Sequence, residues 1–189
     1  MSKKIYLFSL VLMALAFTAC SETEEASKFD NWRARNEAFM DSLQTVYDTA
    51  PDHGGLDYIL PEKNKSVKIF YKKKIAKDTG DSPLYTETVT AYYRGYYIFG
   101  EKFDENFSGV DPDVNFDQPA TFSVQNFYTS TLPAVSGWAD ILQNMKVGER
   151  WMTYIPWQVA YGSSDKDAIP AYSTLLFDIQ LQSIVEEDK

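Results

Sequence analysis

The spacing of apolar positions changes character along this chain. Residues 5–17 are almost continuously apolar, whereas 21–29, "SETEEASKF", are polar and acidic. Over residues 31–48 the apolar side chains Trp32, Phe39, Met40, Leu43, Val46 and Tyr47 return at three- and four-residue intervals. That is the period of one helix face and predicts an amphipathic helix. Asp30 or Asn31 is placed to cap it, and Pro51 follows its end. After the turn-rich "APDHGG" the period shortens: Val67, Ile69 and Tyr71 alternate with Lys68, Phe70 and Lys72, as in a strand with one solvated face. The lysines between 72 and 77 read as a solvated sheet edge that discourages pairing with another chain. Residues 86–98, 121–124, 151–155 and 174–184 have strand character, and 133–145 supply a second helix. Between them, 105–120 are rich in Asp, Asn and Pro and form a loop. The pattern predicts an α+β domain.

Residues 1–19 stand apart from that domain. Lys3 and Lys4 give a basic start, the apolar run follows, and small residues precede Cys20, the organisation of an export signal. The run is shorter than the roughly 20 residues a bilayer-spanning helix needs. Cys20 is the only cysteine, and "TAC" at 18–20 resembles the lipobox of bacterial lipoproteins, with Phe17 where leucine is usual. That resemblance implies cleavage before Cys20 and lipidation of it. It places the chain in the cell envelope of a Gram-negative bacterium, at the outer membrane on its periplasmic face or the cell surface. Residues 20–29 are then the lipidated cysteine and an acidic tether, and such tracts also resemble surface-export signals of some diderm bacteria. The alternative is an ordinary secreted protein with an incidental Cys20.

Composition narrows the function classes. A chain of 189 residues with 44% hydrophobic content suits one domain with extensions, and 15% aromatic residues favour a strand-rich core. The formal charge is -9, and without residues 1–19 the chain keeps 16 basic against 27 acidic residues, a charge of -11. Such a chain is repelled by nucleic acid and by anionic head groups, which leaves lipid as its only membrane attachment. A lone cysteine excludes internal disulfides, and a lone histidine, His53, removes the material for Ser-His, Cys-His or His-zinc chemistry. Asp111, Asp113 and Asp117 alternate as calcium ligands can, but the glycine and closing glutamate of an EF-hand are missing. No metal is assigned there.

A Gly137-Trp138 pair opens the second helix, "MKVGER" follows at 145–150, "AYG" at 160–162 and "STLLFDIQL" at 173–181. Upstream, "VTAYYRGYYIFGEKFDENF" keeps Phe103-Asp104 eight residues after Gly95. In order and spacing these motifs, across roughly residues 67–185, resemble the FKBP-type peptidyl-prolyl cis-trans isomerases. The resemblance implies an FKBP-like antiparallel β-sheet wrapped around a short α-helix over residues 66–189, preceded by a helical extension over 30–65. Some members dimerise through long helical extensions. Here the extension is short, packing onto its own domain is expected, and the oligomeric state stays open.

By the same resemblance Trp138 is the floor of a proline pocket and Tyr93, Phe103 and Phe177 are aromatic walls. Val135 is an aliphatic wall whose backbone N–H faces the substrate, and Tyr161 is the rim residue whose hydroxyl donates to a substrate carbonyl. Asp104 pairs with polar groups beside the pocket, and Ile169 precedes Pro170 in the loop above it. The implied activity is cis-trans isomerisation of X-Pro bonds in proline-containing segments of exported polypeptides, without metal or cofactor. A non-catalytic binding or chaperone module of an envelope complex is the alternative. Some positions depart from the family pattern. Ala120 stands where a second pocket phenylalanine is expected, and the loop from Phe103 to Phe122 is long. Ala134 replaces a larger aliphatic residue, extra residues occur at 126–130, and Pro170-Ala171 replaces a Pro-Pro pair. Phe107 or Phe116 from the long loop is the candidate to fill the gap at Ala120.

Overall fold

The computed structural model describes residues 27–129 and 135–185, so the signal region, Cys20 and Ala134 lie outside the described residues. The chain divides into two units, Met1–Asp30 and Asn31–Lys189. In the first, the described residues make a turn closed by the Asp30 amide donating to the Ser27 carbonyl at 2.9 Å.

The second unit begins with helix α1, Trp32–Thr49, and a 3-10 turn, Pro51–Gly55. Then follow β1 Asp57–Ile59, β2 Ile69–Ile75, β3 Thr88–Tyr96, β4 Lys102–Glu105 and β5 Ala120–Ser123. Two helices come next, α2 Asn126–Thr129 and α3 Gly137–Asn144, before β6 Arg150–Ile155, a 3-10 turn at Trp157–Val159 and β7 Leu175–Ile184. Among the described residues the strands make one seven-stranded sheet in the order β1-β2-β6-β7-β3-β4, with β5 also on β3, and each pairing is antiparallel.

The outer edge of β3 is shared. Arg94 to Tyr96 pair with β4, and Thr88 to Ala91 pair with β5. Asn106 bridges the gap, its side chain accepting from the Tyr93 amide at 2.7 Å and donating to the Ala91 carbonyl at 3.0 Å. One amide side chain thus satisfies two backbone groups that the split ladder would leave open. The intervening residues 107–119 are free to leave the sheet.

Residues opposite one another in paired strands share a face. Ala91, Tyr93 and Gly95 lie with Leu181, Ile179 and Phe177, and α3 covers that face. A Cβ on Gly137 would come within 2.9 Å of Ile69 Cδ1 and 3.0 Å of Ile155 Cγ2, so only glycine lets the helix start this close to the sheet. Arg94, Asp178, Arg150, Tyr154 and Phe70 point the other way. On that side α1 sets Phe39 6.1 Å from Tyr154 and Tyr47 6.0 Å from Phe70, ring centre to ring centre.

Three expectations need correction. The alternation in β2 predicted a solvated face, yet Phe70 on that face is 2% exposed because α1 covers it. The lysines of β2 are not a bare edge: Lys73 pairs with Glu149 at 2.9 Å and Lys74 with Asp178 at 2.8 Å, both carboxylates being buried. Asn31 precedes α1 at φ 52° without a side-chain cap. β1 and α2 were not expected, since segments this short carry no periodicity.

The expectation that α1 packs on its own domain is met, and by polar contacts as much as apolar ones. The Trp32 indole donates to Ser173 Oγ at 2.8 Å. Asn36, fully buried, accepts from the Thr174 amide at 2.8 Å and donates to the Trp32 carbonyl at 2.7 Å. Trp32 also sets its ring edge-on to Tyr97 and Phe99, in the turn between β3 and β4.

Candidate functional site

Where α3 meets the sheet, an aromatic cluster forms. Trp138, 3% exposed, lies edge-on to Tyr93 at 5.5 Å and to Phe177 at 5.2 Å, with interplanar angles of 84° and 86°. Phe103 on β4 meets Phe177 edge-on at 5.6 Å. These arrangements set the positive edge of one ring against the negative face of another, and each pair contributes about 0.5–1.5 kcal/mol beyond area burial. The four aromatic residues the sequence assigned to the pocket are therefore one contiguous group on three strands and a helix. Gly95 makes this possible: a Cβ there would lie 2.5 Å from Phe103 Cζ and 2.9 Å from Phe177 Cε1. The Tyr-x-Gly spacing lets two rings close over the backbone.

The polar part of the site is small. The Tyr93 hydroxyl donates to Asp104 Oδ2 at 2.8 Å. Burial first, then the Asp104 contact, push the Tyr93 hydroxyl well above its usual range, so it stays protonated at neutral pH. Tyr161 lies within electrostatic reach of Asp104 and Tyr93, and burial pushes its hydroxyl up as well. That hydroxyl makes no hydrogen bond among the described residues. Val135 is buried, and its carbonyl accepts from the Trp138 amide at 3.0 Å as α3 begins.

The loop after Tyr161 is tightly tied. Ile169, buried, exchanges two backbone hydrogen bonds with Lys166, at 2.8 and 2.9 Å. The Tyr97 hydroxyl donates to the Ala168 carbonyl at 2.8 Å, and Ser173 Oγ donates to the Pro170 carbonyl. The same Ser173 receives the Trp32 indole, so α1 is linked through one hydroxyl to the loop above the pocket.

The expected substitute for the missing phenylalanine is not used. Phe107 is buried on the opposite face, with the Arg94 guanidinium 4.1 Å and that of Arg150 5.4 Å from its ring centre. Phe116 is 82% exposed. Two other rings meet the floor instead: Phe122 at 5.1 Å and Phe127 at 5.5 Å from Trp138, the latter stacked at 29°. Phe122 could have been found from the alternation of β5, which puts it on the same side as Ala120. Phe127 comes from the extra residues at 126–130, where the sequence gives no period to read.

The acidic loop carries structure, not a metal motif. Asp117 accepts from the Ser108 and Asp113 amides at 2.9 and 2.8 Å, and Asp111 pairs with Arg150. Among the described residues no group of three or more His, Cys, Asp or Glu is arranged to hold a metal ion. His53 stacks on Tyr47 at 4.2 Å in an exposed turn.

Comparison with known proteins agrees with this geometry. The family model for FKBP-type peptidyl-prolyl cis-trans isomerase matches residues 80–182. The FKBP-type peptidyl-prolyl cis-trans isomerase FkpA of Aeromonas hydrophila is 32% identical over 106 residues, 56% of this chain and 34% of that protein. The outer membrane protein MIP of Legionella longbeachae is 34% identical over 158 residues, 83% of this chain and 56% of that one. A crystal structure of a peptidyl-prolyl cis-trans isomerase from Pseudomonas syringae pv. tomato superposes with a TM-score of 0.58 at 22% identity, covering 85% of this chain and 98% of the other, a likeness of fold. The matches span between a third and somewhat over half the length of these two curated relatives. The matched region contains every aromatic residue of the pocket described above, and the chain belongs to the family of FKBP-type peptidyl-prolyl cis-trans isomerases.

Proposed function

We propose that this chain is a peptidyl-prolyl cis-trans isomerase that acts on X-Pro bonds of exported polypeptides and is held in the cell envelope by lipid on Cys20. The observation that carries the catalytic part is the box of Tyr93, Phe103, Trp138 and Phe177, apolar except for one hydroxyl–carboxylate pair. Rotation about a peptide bond has a barrier of about 18–20 kcal/mol because the twisted amide loses its resonance. No bond is made, so no nucleophile or base is required. The partial charges on the carbonyl oxygen and nitrogen diminish at the twisted geometry, and an apolar box favours that state over the planar one. A ten-thousandfold acceleration needs about 5.5 kcal/mol of such preference.

The side chains divide the work. Trp138 and its neighbouring rings seat the proline, while the Tyr161 hydroxyl donates to a substrate carbonyl and fixes the polypeptide across the rim. Asp104 is occupied by the Tyr93 hydroxyl, which makes it an orienting acceptor. Phe127 stands in for the wall absent at Ala120, and Ile169 and Val135 close the sides.

Export and anchoring are supported by the sequence of residues 1–20 and by the name of the outer membrane relative. No helix among the described residues is long and apolar enough to cross a membrane.

The test is the isomerisation rate of a panel of X-Pro peptides, measured by exchange NMR with the purified protein, alongside Trp138→Ala and Tyr161→Phe. Catalysis that falls in both variants is the expected result. A folded protein that binds proline peptides without accelerating them would replace the isomerase reading with that of a binding module, which the altered wall at Ala120 favours. Globomycin-sensitive processing and labelling by a fatty-acid probe that disappears in Cys20→Ser test the anchor. Unlabelled, processed protein would make it an ordinary secreted one.

A further inference from the structure

The rim tyrosine is held from behind. Gly162, directly after Tyr161, donates its amide to the Trp157 carbonyl at 2.9 Å and accepts from the Tyr172 amide at 2.8 Å. The second of these bonds closes the neck of the loop that carries Ile169. Inside that loop the Ala171 amide donates to Asp165 Oδ1 at 2.7 Å. At the neck Gly162 and Tyr172 both have positive φ, 75° and 62°. Glycine adopts that conformation freely, whereas a tyrosine stays in it only where its surroundings hold it there.

The two residues that grip Gly162 also meet through their side chains. The rings of Trp157 and Tyr172 are edge-on at 5.0 Å and 78°. Over both lies one cation of α1: the Arg33 guanidinium is 4.6 Å from the Tyr172 ring centre and 5.7 Å from that of Trp157. Arg33 Nε donates to Glu37 Oε1, one helical turn on, at 2.8 Å, and this bond sets the direction of the guanidinium. The helix is docked beside this point, since the Trp32 indole donates to Ser173 Oγ and Asn36 accepts from the Thr174 amide. A line of contacts therefore runs from Glu37 through Arg33 to two rings, from their backbones to Gly162, and so to Tyr161.

We infer that Arg33 positions the Tyr161 hydroxyl, a role that rests on the isomerase reading of the pocket. Its guanidinium clamps the Trp157 and Tyr172 rings, keeps Tyr172 in the left-handed conformation that closes the neck of the loop, and so fixes the rim across which the polypeptide binds. An exposed arginine paired four residues on ordinarily supports only its own helix. Here the cation is set against two rings whose backbones hold the residue after the rim tyrosine. A flat, delocalised cation suits that task, because it attracts a ring face while donating to a carboxylate in its own plane. The extension before the domain thereby becomes part of the substrate-binding apparatus, through a residue that touches no substrate.

The experiment is a double-mutant cycle of Arg33→Ala and Tyr161→Phe in the full protein, with Arg33→Lys as the conservative variant. KM and kcat for an X-Pro peptide are measured with the thermal midpoint and with hydrogen exchange at the Gly162 and Tyr172 amides. Arg33→Ala is expected to raise KM by about two- to fivefold, the range of one exposed cation–π contact, with kcat and the midpoint nearly unchanged. Exchange at both amides should quicken while the sheet stays protected. Arg33→Lys should recover part of the loss, because an ammonium still attracts a ring face. In the Tyr161→Phe background, Arg33→Ala should leave KM where Tyr161→Phe alone puts it, since the hydroxyl it positions is gone. The same factor in both backgrounds, or unchanged KM with unchanged exchange, would overturn the inference. A wild-type protein that binds proline peptides without accelerating them defeats the isomerase reading instead, and the cycle is then read from the dissociation constant. If it binds none, exchange decides: faster at Gly162 and Tyr172 in Arg33→Ala sustains the clamp, and equal to wild type overturns it.

Discussion

The two faces of the sheet are built on different physics. On the α3 face, rings meet rings: Trp138 contacts Tyr93, Phe122, Phe127 and Phe177. On the other face, Arg150 donates to Asp178 through Nε and NH2, each at 2.7 Å, and Lys74 adds a third contact at 2.8 Å. Arg150 also holds the long loop through Asp111 and the Val110 carbonyl, while Arg94 holds it through the carbonyls of Phe107 and Gly109, both at 3.0 Å. The aromatic face tolerates approach by an apolar guest because its ring contacts are short-ranged and leave no buried charge unpaired when they shift. The charged face is fixed by directional bonds, each of which leaves a buried charge if broken. The aromatic cluster and the anchored insertion lie on opposite sides of a single sheet.

The largest expected effect tests whether the faces are separable. Arg150→Ala leaves Asp178 buried with Lys74 alone and unties the loop, and is expected to cost about 3–5 kcal/mol of stability in urea unfolding. The rate per folded molecule should stay near wild type, and a parallel loss of catalysis would mean that the faces are coupled. The same network sets an acid limit. Burial pushes Asp178 up, but the bonds from Arg150 and Lys74 outweigh it and hold the group below the usual carboxylate range. Glu149 is also held low: burial opposes this, but the Lys146 amide and Lys73 prevail. Lowered folded values mean stability that is present above the unfolded values of about 4 and lost as pH falls through the folded ones. Unfolding midpoints should therefore decline below about pH 4, and Arg150→Ala should flatten that decline.

On the aromatic face the sharpest single change is Gly95→Ala. The added carbon must displace the rings of Phe103 and Phe177, which leave it only 2.5 and 2.9 Å. Overpacking of this kind costs up to about 3 kcal/mol. Unlike Arg150→Ala, it should raise KM for proline peptides in the molecules that remain folded, because the displaced rings belong to the cluster proposed to seat proline. A stability loss with unchanged KM would show that the rings can move without disturbing the guest.

Asn36→Ala probes α1, which packs on the charged side of the sheet and is tied to the loop after Tyr161. Removing its side chain leaves the buried Thr174 amide without an acceptor, a loss of about 1–3 kcal/mol. The linked loop carries Ile169, so the expected kinetic signature is a raised KM with little change in kcat. Hydrogen exchange over 161–174 should rise in step, and protection equal to wild type would remove α1 from any role at the pocket.

These contrasts also explain what the sequence made legible. Trp138, Tyr93, Phe103 and Phe177 were legible through the order and spacing of motifs that resemble the FKBP-type family, from Gly95 and Phe103-Asp104 to Gly137-Trp138 and "STLLFDIQL". The far face was not readable, since Lys74, Arg150 and Asp178 are separated by long stretches of chain and meet only through strand register. Lys73 and Lys74 looked like a solvated edge because a lysine paired to a buried carboxylate has the same local sequence as one in water. Phe127 was missed because a four-residue helix has no period.

The smallest effect separates the two tyrosines of the pocket. Tyr93→Phe removes a hydrogen bond to an exposed carboxylate and should cost only about 0.5–1.5 kcal/mol of stability, since the ring contacts with Trp138 and Phe177 remain. Tyr161→Phe removes a hydroxyl with no hydrogen-bond partner among the described residues, and should leave stability unchanged while lowering kcat/KM more than Tyr93→Phe does. Both hydroxyls are held above their ordinary range, so neither titrates near neutrality and the wild-type rate should be level from about pH 6 to 9. A bell-shaped profile across that interval would require a proton-transfer group that the aromatic box does not contain, and would move the chemistry away from the contrast between an apolar face and a charged one.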